Sequence, residues 1–319
     1  MVIANHVFLN ESVFITILER MYKKVLPLIA TTLFTAGSLA LTSVCSAQTL
    51  KKAADSNTFT VSYRKAAVPF SYVIAPNKAV GFAMDIADAI TEDVKKKLGK
   101  PNLQIAYIPV TAQNRIPLLV NGTYDLECGS TTNNSARGKE VTFGISHFFT
   151  GTRLLTRKSS GIKNYADLAG KAVVTTAGST NEKVMRKYSA ENKIKFQINL
   201  GKGYDDSFQQ VEDGSARAFA MDDILLFGLR ANSKDPAAYE VVGDTLQVEP
   251  YGCMLRKDGP EFKELVDRTI TRLMTSGEFT RLYAKWFESP IPPKGVALNM
   301  PMSDQLKANL KALSDQPAL

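Results

Sequence analysis

Three arginines and several hydroxyl-bearing residues follow segments of the sequence that have the pattern of β-strands. Arg64 ends the strand predicted over 58–64, Arg115 comes soon after the strand over 103–110, and Arg137 follows a third strand. The other polar residues in such positions are Ser130, Thr132, Thr180, Tyr204 and Asp222. Ligands of open parallel sheets bind beyond the carboxyl ends of the strands, so we expect these side chains to converge on one cleft.

This set of side chains suits a small molecule that carries two carboxylates and an ammonium group, as an acidic amino acid does. A guanidinium group matches a carboxylate with a planar fork of N–H donors, and two carboxylates need at least two such forks. Asp222 offers an acceptor and an opposite charge to the ammonium group. Hydroxyl groups and the backbone N–H groups at helix starts satisfy the remaining oxygens. Unpaired charge in a closed cleft is costly, so the charges of cleft and ligand should nearly balance.

Each of these residues taken alone also has a structural explanation. A lone arginine after a strand usually lies on the surface. The stretch over 130–133 precedes a helix, and Asp222 precedes another, so both have the pattern of an N-cap. The prediction of a binding cleft therefore depends on the joint position of these residues at strand ends.

Strands and helices alternate in two successive sets along the chain. The first set comprises strands over 58–64, 103–110 and 124–128 and helices over 84–98 and 114–120. The second comprises strands over 171–176, 196–200 and 216–221 and helices over 182–187, 207–212 and 222–229. Extended segments over 148–157 and 244–256 connect the two sets. The pattern predicts an α/β protein of two lobes, each a mostly parallel sheet with helices on both faces, joined by two hinge crossovers.

The N-terminal segment has the three parts of a secretory signal. Lys23 and Lys24 precede an uncharged run over 25–47, and that run ends in small residues. We therefore expect cleavage after Ala47 and secretion of the mature chain. An uncleaved membrane anchor is the alternative, although a proline and a glycine inside the run weaken it.

The size and charge of the chain bound its domain organisation and its partners. Its 319 residues suit two lobes better than one core. The predicted bounds are an upstream extension over 1–20, a signal peptide over 21–47, the first lobe over 48–150, the second lobe over 151–248, the return to the first lobe over 249–293, and a tail over 294–319. The formal net charge is +8, but the basic residues are scattered, so we predict no nucleic-acid partner.

Cysteine and histidine are scarce beyond the signal segment. Cys128 and Cys253 form a disulfide in an oxidising compartment or remain two buried free thiols, and the sequence leaves both open. His147 is the only histidine that remains after cleavage. No cluster has the spacing of a zinc site, so we expect neither a metal nor a cofactor.

Several stretches resemble the periplasmic polar-amino-acid solute-binding proteins of ABC importers, family 3. They are MDIADAI at 84–90, NRIPLLVNGTYDLECGSTTNN at 114–134, AFAMDDILL at 218–226, YGCMLRKD at 251–258 and the KWF and PIPPK segments at 285–294. Within that family, these motifs are most similar to those of the glutamate/aspartate binders. The resemblance implies a two-lobed periplasmic-binding-protein fold of type II, a monomer that binds L-glutamate or L-aspartate, and an inner-membrane ABC permease as partner.

The resemblance also implies a role for each site residue. Arg137 should clamp the α-carboxylate with Thr132 and Thr180. Ser130 and Asp222 should hold the ammonium group. Arg64 and Arg115 should bind the side-chain carboxylate.

Two positions depart from the family pattern at the distal end of the pocket. Tyr204 stands where the family has histidine, and Ala112 where it has serine. The choice between glutamate and aspartate is therefore left open.

Two other function classes remain as alternatives. Some proteins of this fold are dehydratases, which need an acid or base in the cleft. Glu127 and Glu182 are the nearest carboxylates by sequence, and we expect structural roles for both, so we predict no enzyme. A ligand-sensing domain would need an attached membrane or signalling segment.

Overall fold

Strands and helices alternate along the chain in the computed structural model, which describes residues 49–76, 78–257 and 259–318. The segments predicted over 1–20 and 21–47 lie outside these residues. The strands are β1 (Thr58–Tyr63), β2 (Ala66–Ala67), β3 (Ser71–Ala75), β4 (Lys78–Val80), β5 (Gln104–Pro109), β6 (Leu126–Glu127), β7 (Thr142–Phe143), β8 (Phe148–Arg157), β9 (Ala172–Thr176), β10 (Gln197–Gly201), β11 (Ala218–Asp222), β12 (Tyr239–Val242), β13 (Val248–Tyr251), β14 (Met254–Leu255), β15 (Pro290–Ile291) and β16 (Val296–Ala297). The α-helices are α1 (Thr49–Ser56), α2 (Phe82–Leu98), α3 (Arg115–Val120), α4 (Asn181–Asn192), α5 (Tyr204–Glu212), α6 (Asp223–Asn232), α7 (Pro260–Thr275), α8 (Glu278–Tyr283) and α9 (Asp304–Ala312).

The first lobe is built on a five-stranded sheet with the order β5-β1-β6-β14-β7. Strand β1 lies between β5 and β6 and is parallel to both. Strand β14 returns from the second lobe and pairs antiparallel with β6 and β7, through Met254 opposite Glu127 and Phe143. The parallel part of this sheet is therefore three strands wide, and the returning chain adds the antiparallel strand.

The second lobe has the same plan. Its main sheet has the order β10-β9-β11-β8-β12, in which β9 is parallel to β10 and β11. Strand β8 is the outgoing crossover, and it pairs antiparallel with β11 and β12. The incoming crossover β13 pairs with the start of β8, from Val248 opposite Gly151 to Tyr251 opposite Phe148. The two connections between the lobes thus lie side by side.

Helix α2 shows how the apolar pattern determines a helix and its buried face. Its residues Phe82, Ile86, Ile90 and Val94 recur at helical spacing, and all are fully buried. The preceding Gly81 has a φ of 141°, and a Cβ there would lie 2.2 Å from the Phe70 carbonyl oxygen. Only glycine fits this close approach.

The C-terminal helical stretch that the sequence predicts over 261–287 is divided into separate helices. Helix α7 ends at Thr275, and Gly277 adopts a left-handed conformation with a φ of 79° before α8 begins. A π-helical turn over Ala284–Glu288 follows. This turn delivers Phe287 to the aromatic core, 5.1 Å from the Phe148 ring, where the outgoing crossover starts.

The tail packs against the first lobe. Helix α9 begins at a Ser303 cap, and its Asn309 donates a hydrogen bond to the Ser146 carbonyl at 2.7 Å. Beyond it, the Ala318 N–H bonds the Asn133 carbonyl at 2.9 Å. None of the helices in the described residues has the length and apolar character needed to cross a membrane.

Candidate ligand-binding cleft

The strand ends of the two lobes face each other and touch. The Arg137 Nη2 group of the first lobe lies 3.3 Å from the Gly178 carbonyl of the second. A Cβ at Gly178 would lie 2.6 Å from the Gln113 Cα, so a larger residue there would force the lobes apart. The two lobes therefore enclose a cleft, and six of the eight predicted site residues are buried in it: Arg64, Arg115, Ser130, Thr132, Tyr204 and Asp222.

One end of the cleft holds two arginines with unused donors. Arg115 starts α3 and is 2% exposed, and Arg64 follows β1 and is 4% exposed. The Nε and Nη1 groups of Arg115 and the Nη1 group of Arg64 are buried without a hydrogen-bond partner among the described residues. Burial, together with repulsion by Arg137 and Arg64, lowers the pKa of Arg115 to about 10. An unpaired buried donor costs roughly 1–3 kcal/mol, and more when charged, so this end of the cleft is built for an anion.

Tyr204 lies between these arginines and the hydroxyl residues. It is the first residue of α5, and its hydroxyl is 3.1 Å from Ser130 Oγ of the opposite lobe. The Cζ atom of Arg64 lies 4.9 Å from the centroid of the tyrosine ring, which is a cation–π distance. Tyr204 therefore connects the lobes, and it orients Arg64 through its ring rather than through its hydroxyl.

Arg137 is held by backbone carbonyls of both lobes, and it is near enough to Arg115 to lower the pKa of that residue. Its Nη1 group donates to the Thr132 carbonyl at 2.9 Å and its Nη2 group to the Gly178 carbonyl. Burial lowers its pKa, while the carboxylates of Glu249, Asp222 and Glu127 act in the opposite direction. Arg137 is partly exposed. A surface cavity of about 670 Å³ lies beside it.

Asp222 ends β11, and its carboxylate does not cap the helix that follows. Its Oδ1 accepts a hydrogen bond from Asn181 at 2.9 Å, and its Oδ2 accepts one from the Tyr251 hydroxyl. Burial, together with the nearby Glu249, raises its pKa to about 7. The N-cap explanation is therefore wrong for Asp222, which is held as an acceptor inside the cleft.

Two buried carboxylates lie beside the predicted site residues: Glu249, which the sequence did not predict there, and Glu127, for which it predicted a structural role. Glu249 on β13 is fully buried, and its Oε2 accepts hydrogen bonds from Thr132 at 2.6 Å and from Thr180 at 2.7 Å. Glu127 accepts a bond from Thr131 at 2.9 Å through Oε1, and its Oε2 has no partner among the described residues. The sequence signal for Glu249 is an acid within the extended, otherwise apolar segment VEPY.

Glu182 and Ala112 are the two other positions that the sequence singled out. Glu182 pairs with Arg186 at 3.0 Å along the surface of α4, which is a structural role. Ala112 is buried, and its carbonyl packs against Gly178.

A disulfide anchors the hydroxyl-bearing loop. Cys128 and Cys253 are joined, with their Cα atoms 4.2 Å apart. The loop after Cys128 then runs along the returning strand, where the Asn133 N–H bonds the Pro250 carbonyl at 2.8 Å. This pairing places Ser130 and Thr132 beside the carboxylate-bearing strand β13.

Two α/β lobes joined by adjacent crossovers, with buried guanidinium donors between them that have no partner within residues 49–76, 78–257 and 259–318, define a two-lobed binding protein for a small anionic solute. The profile of the bacterial extracellular solute-binding proteins, family 3, matches residues 59–289, and the chain belongs to that family.

Known relatives agree with this assignment. The chain is 50% identical to a glutamate/aspartate import solute-binding protein of Salmonella typhimurium, over 84% of this chain and 89% of the relative. It is 46% identical to an L-glutamate/L-aspartate-binding protein of Pseudomonas aeruginosa, over 85% of this chain and 90% of the relative. Among solved structures, an ancestral amino acid-binding protein, described as a precursor of cyclohexadienyl dehydratase, matches with a TM-score of 0.64 and 26% identity, over 75% of this chain and 99% of that one.

Proposed function

We propose that this protein binds L-glutamate or L-aspartate in the interlobe cleft, as the solute-binding component of an amino-acid ABC importer. The observation that carries the proposal is the set of three buried guanidinium nitrogens on Arg64 and Arg115 without partners among the described residues. A neutral amino acid would leave these donors unpaired, whereas a second carboxylate would accept from them. The names of the two relatives support the same ligand class.

The proposed pose follows the charges along the cleft. Arg64 and Arg115 bind the side-chain carboxylate, and Arg137 binds the α-carboxylate. Asp222 and Ser130 face the ammonium group. Thr132 and Thr180 already donate their hydroxyl hydrogens to Glu249, so any donor they offer to the α-carboxylate is a backbone N–H group.

The transport role places the protein in the periplasm, with an inner-membrane ABC permease as partner and the monomer as the working unit. The predicted signal over 21–47 supports export. An enzyme or a ligand-sensing domain has less support than a transport protein, because the relatives are named as import and binding proteins.

Isothermal titration of protein that has been unfolded and refolded, to strip any bound ligand, tests the proposal. The panel is glutamate, aspartate, glutamine and asparagine. We expect one site, with the amides bound at least about thirtyfold more weakly than the acids, since the loss of a buried charge partner costs about 2–5 kcal/mol. Equal affinity for acids and amides would contradict the acidic-ligand assignment, and heat from none of them would contradict the amino-acid assignment.

A further inference from the structure

Glu249 links the two lobes through a single carboxylate oxygen. Thr132 belongs to the first lobe and Thr180 to the second, and both hydroxyls donate to Oε2 of Glu249 at 2.6 and 2.7 Å. The other oxygen, Oε1, lies 3.3 Å from the Gln247 Nε2 group. Both threonine hydroxyls therefore donate to the same side chain, which is fully buried and belongs to the returning crossover.

The number of hydrogens on a hydroxyl group gives this arrangement a chemical consequence. A threonine hydroxyl has one hydrogen to donate and two lone pairs to accept with. Because Glu249 accepts that hydrogen from both threonines, each hydroxyl presents only lone pairs to any other group. Two lone-pair-bearing oxygens repel a carboxylate and attract an ammonium group.

The charges around the threonines agree with this polarity. Arg137 donates to the Thr132 carbonyl, so a cation that binds the α-carboxylate lies next to these hydroxyls. Asp222, which is close enough to Glu249 for their charges to interact, is held by Asn181 and Tyr251. The ammonium group of an amino acid would thus lie near two acids and two acceptor hydroxyls.

We propose that Glu249 is a positioning residue which turns the Thr132 and Thr180 hydroxyls into acceptors, so that the cleft requires an ammonium group beside the α-carboxylate of its ligand. This inference rests on the proposed function, because it concerns the same cleft. It adds a source of selectivity that the arginines do not supply, namely rejection of dicarboxylates that lack the amino group. Glu249 itself need not touch the ligand.

The test compares glutamate with glutarate, which has both carboxylates but no ammonium group. Glu249→Met has nearly the same length and removes the acceptor, so the hydroxyl hydrogens become free to turn toward a carboxylate. Glu249→Gln removes the charge but keeps one oxygen that both threonines can still reach. Glu240→Gln, at a surface acid of the second lobe that pairs with Lys163, is the control.

The measured quantity is the ratio of the dissociation constants of glutarate and glutamate, with glutarate titrated in competition with glutamate. We expect Glu249→Met to lower this ratio about tenfold or more, and Glu249→Gln to lower it much less. The control should keep the ratio of the unmodified protein. If Glu249→Met weakens both ligands by the same factor, or changes neither, Glu249 has only a structural role and the inference is wrong.

If Glu249→Met does not fold, Thr180→Val and Thr180→Ser provide a second test. Thr180 is partly exposed, so we expect both variants to fold. The valine variant should lower the ratio, and the serine variant, which retains a hydroxyl, should preserve it. Equal ratios in the two variants would overturn the inference. A native protein that binds no amino acid would instead overturn the proposed function.

Discussion

Replacement of Arg115 by methionine should weaken binding of acidic ligands and stabilise the ligand-free protein at the same time. Methionine has a similar length and fills the same space without a charge. The native guanidinium is buried, with Nε and Nη1 unpartnered among the described residues and two other arginines nearby. Glu127 and Tyr204 offset only part of the cost of burying this cation, so the ligand-free protein carries an unfavourable charge that the variant removes.

The size of both effects follows from the structure. Burial and repulsion lower the pKa of Arg115 from 12.5 to about 10, which corresponds to roughly 3 kcal/mol of unfavourable free energy for the cation. A cation with a lowered pKa bears this cost at every pH below about 10, so it is fully present at neutral pH. Loss of one partner of a buried charge pair costs about 2–5 kcal/mol in binding, or roughly thirty- to several-thousandfold in affinity.

Thermal unfolding and calorimetric titration of the same samples measure the two effects. Without ligand, Arg115→Met should unfold at a temperature several degrees higher, since about 1 kcal/mol shifts Tm by roughly 2–4 °C in a chain of this size. Glutamate should bind far more weakly, while glutamine should lose little. Arg268→Met, at an exposed position on α7, is the matched control and should change neither quantity. Unchanged glutamate affinity in Arg115→Met would refute the assignment of the distal carboxylate site.

Four further substitutions or changes of condition test other parts of the cleft. Arg137→Ala should weaken glutamate and glutamine alike by about 2–5 kcal/mol in calorimetry, because every amino acid has an α-carboxylate, and selective loss of one would count against that role. The affinity for glutamate should fall about tenfold from pH 8 to pH 6, because Asp222 must be ionised to face an ammonium group and its pKa is raised to about 7; titrations at both pH values that agree would exclude this role. Tyr204→Phe should cost about 1 kcal/mol for all ligands, since the tyrosine hydroxyl bonds Ser130, and a loss confined to acidic ligands would show that it binds the distal carboxylate instead. Replacing Cys128 and Cys253 by alanine should lower the free energy of unfolding by about 2–5 kcal/mol in urea titrations, because the bridge closes a loop between residues 125 apart, and an unchanged midpoint would contradict a stabilising role.

The strand ends of the parallel sheets could be predicted from sequence, because their signals are local. Arg64, Arg115 and Asp222 each follow a run of apolar and β-branched residues, and the parallel arrangement of those runs determines where their ends meet. The resemblance of the sequence to a known family added a role for each residue. The division of the chain into two α/β lobes followed from the repeated alternation of strands and helices.

The carboxylate network could not be predicted, because its contacts join distant parts of the chain. Glu249 is 117 residues from Thr132 and 69 residues from Thr180 in the sequence. It lies on a strand that the sequence predicts only as an extended connection between the lobes. The pairing of Cys128 with Cys253 likewise depends on the returning strand lying beside β6. Sequence patterns show which residue types are present, but the hydrogen-bond partner of a buried acid depends on the packing of the lobes.

The C-terminal region shows a different limit. The helical pattern predicts a helical stretch over 261–287, but it does not locate the division of that stretch at Gly277, which takes a left-handed conformation. The tail after Lys294 has weak periodicity, and its helix α9 is held by side-chain contacts such as that of Asn309 with the Ser146 carbonyl. Local propensity is a weak guide where tertiary contacts determine the outcome.

A crystal structure of the refolded protein with glutamate tests the central claim most directly, because it locates the second carboxylate. We predict that the side-chain carboxylate lies within hydrogen-bond distance of Arg115 Nε or Nη1 and of Arg64 Nη1, the donors that lack partners in the described residues. The ammonium group should face Asp222 in the same complex. A side-chain carboxylate that points away from both arginines would contradict the account.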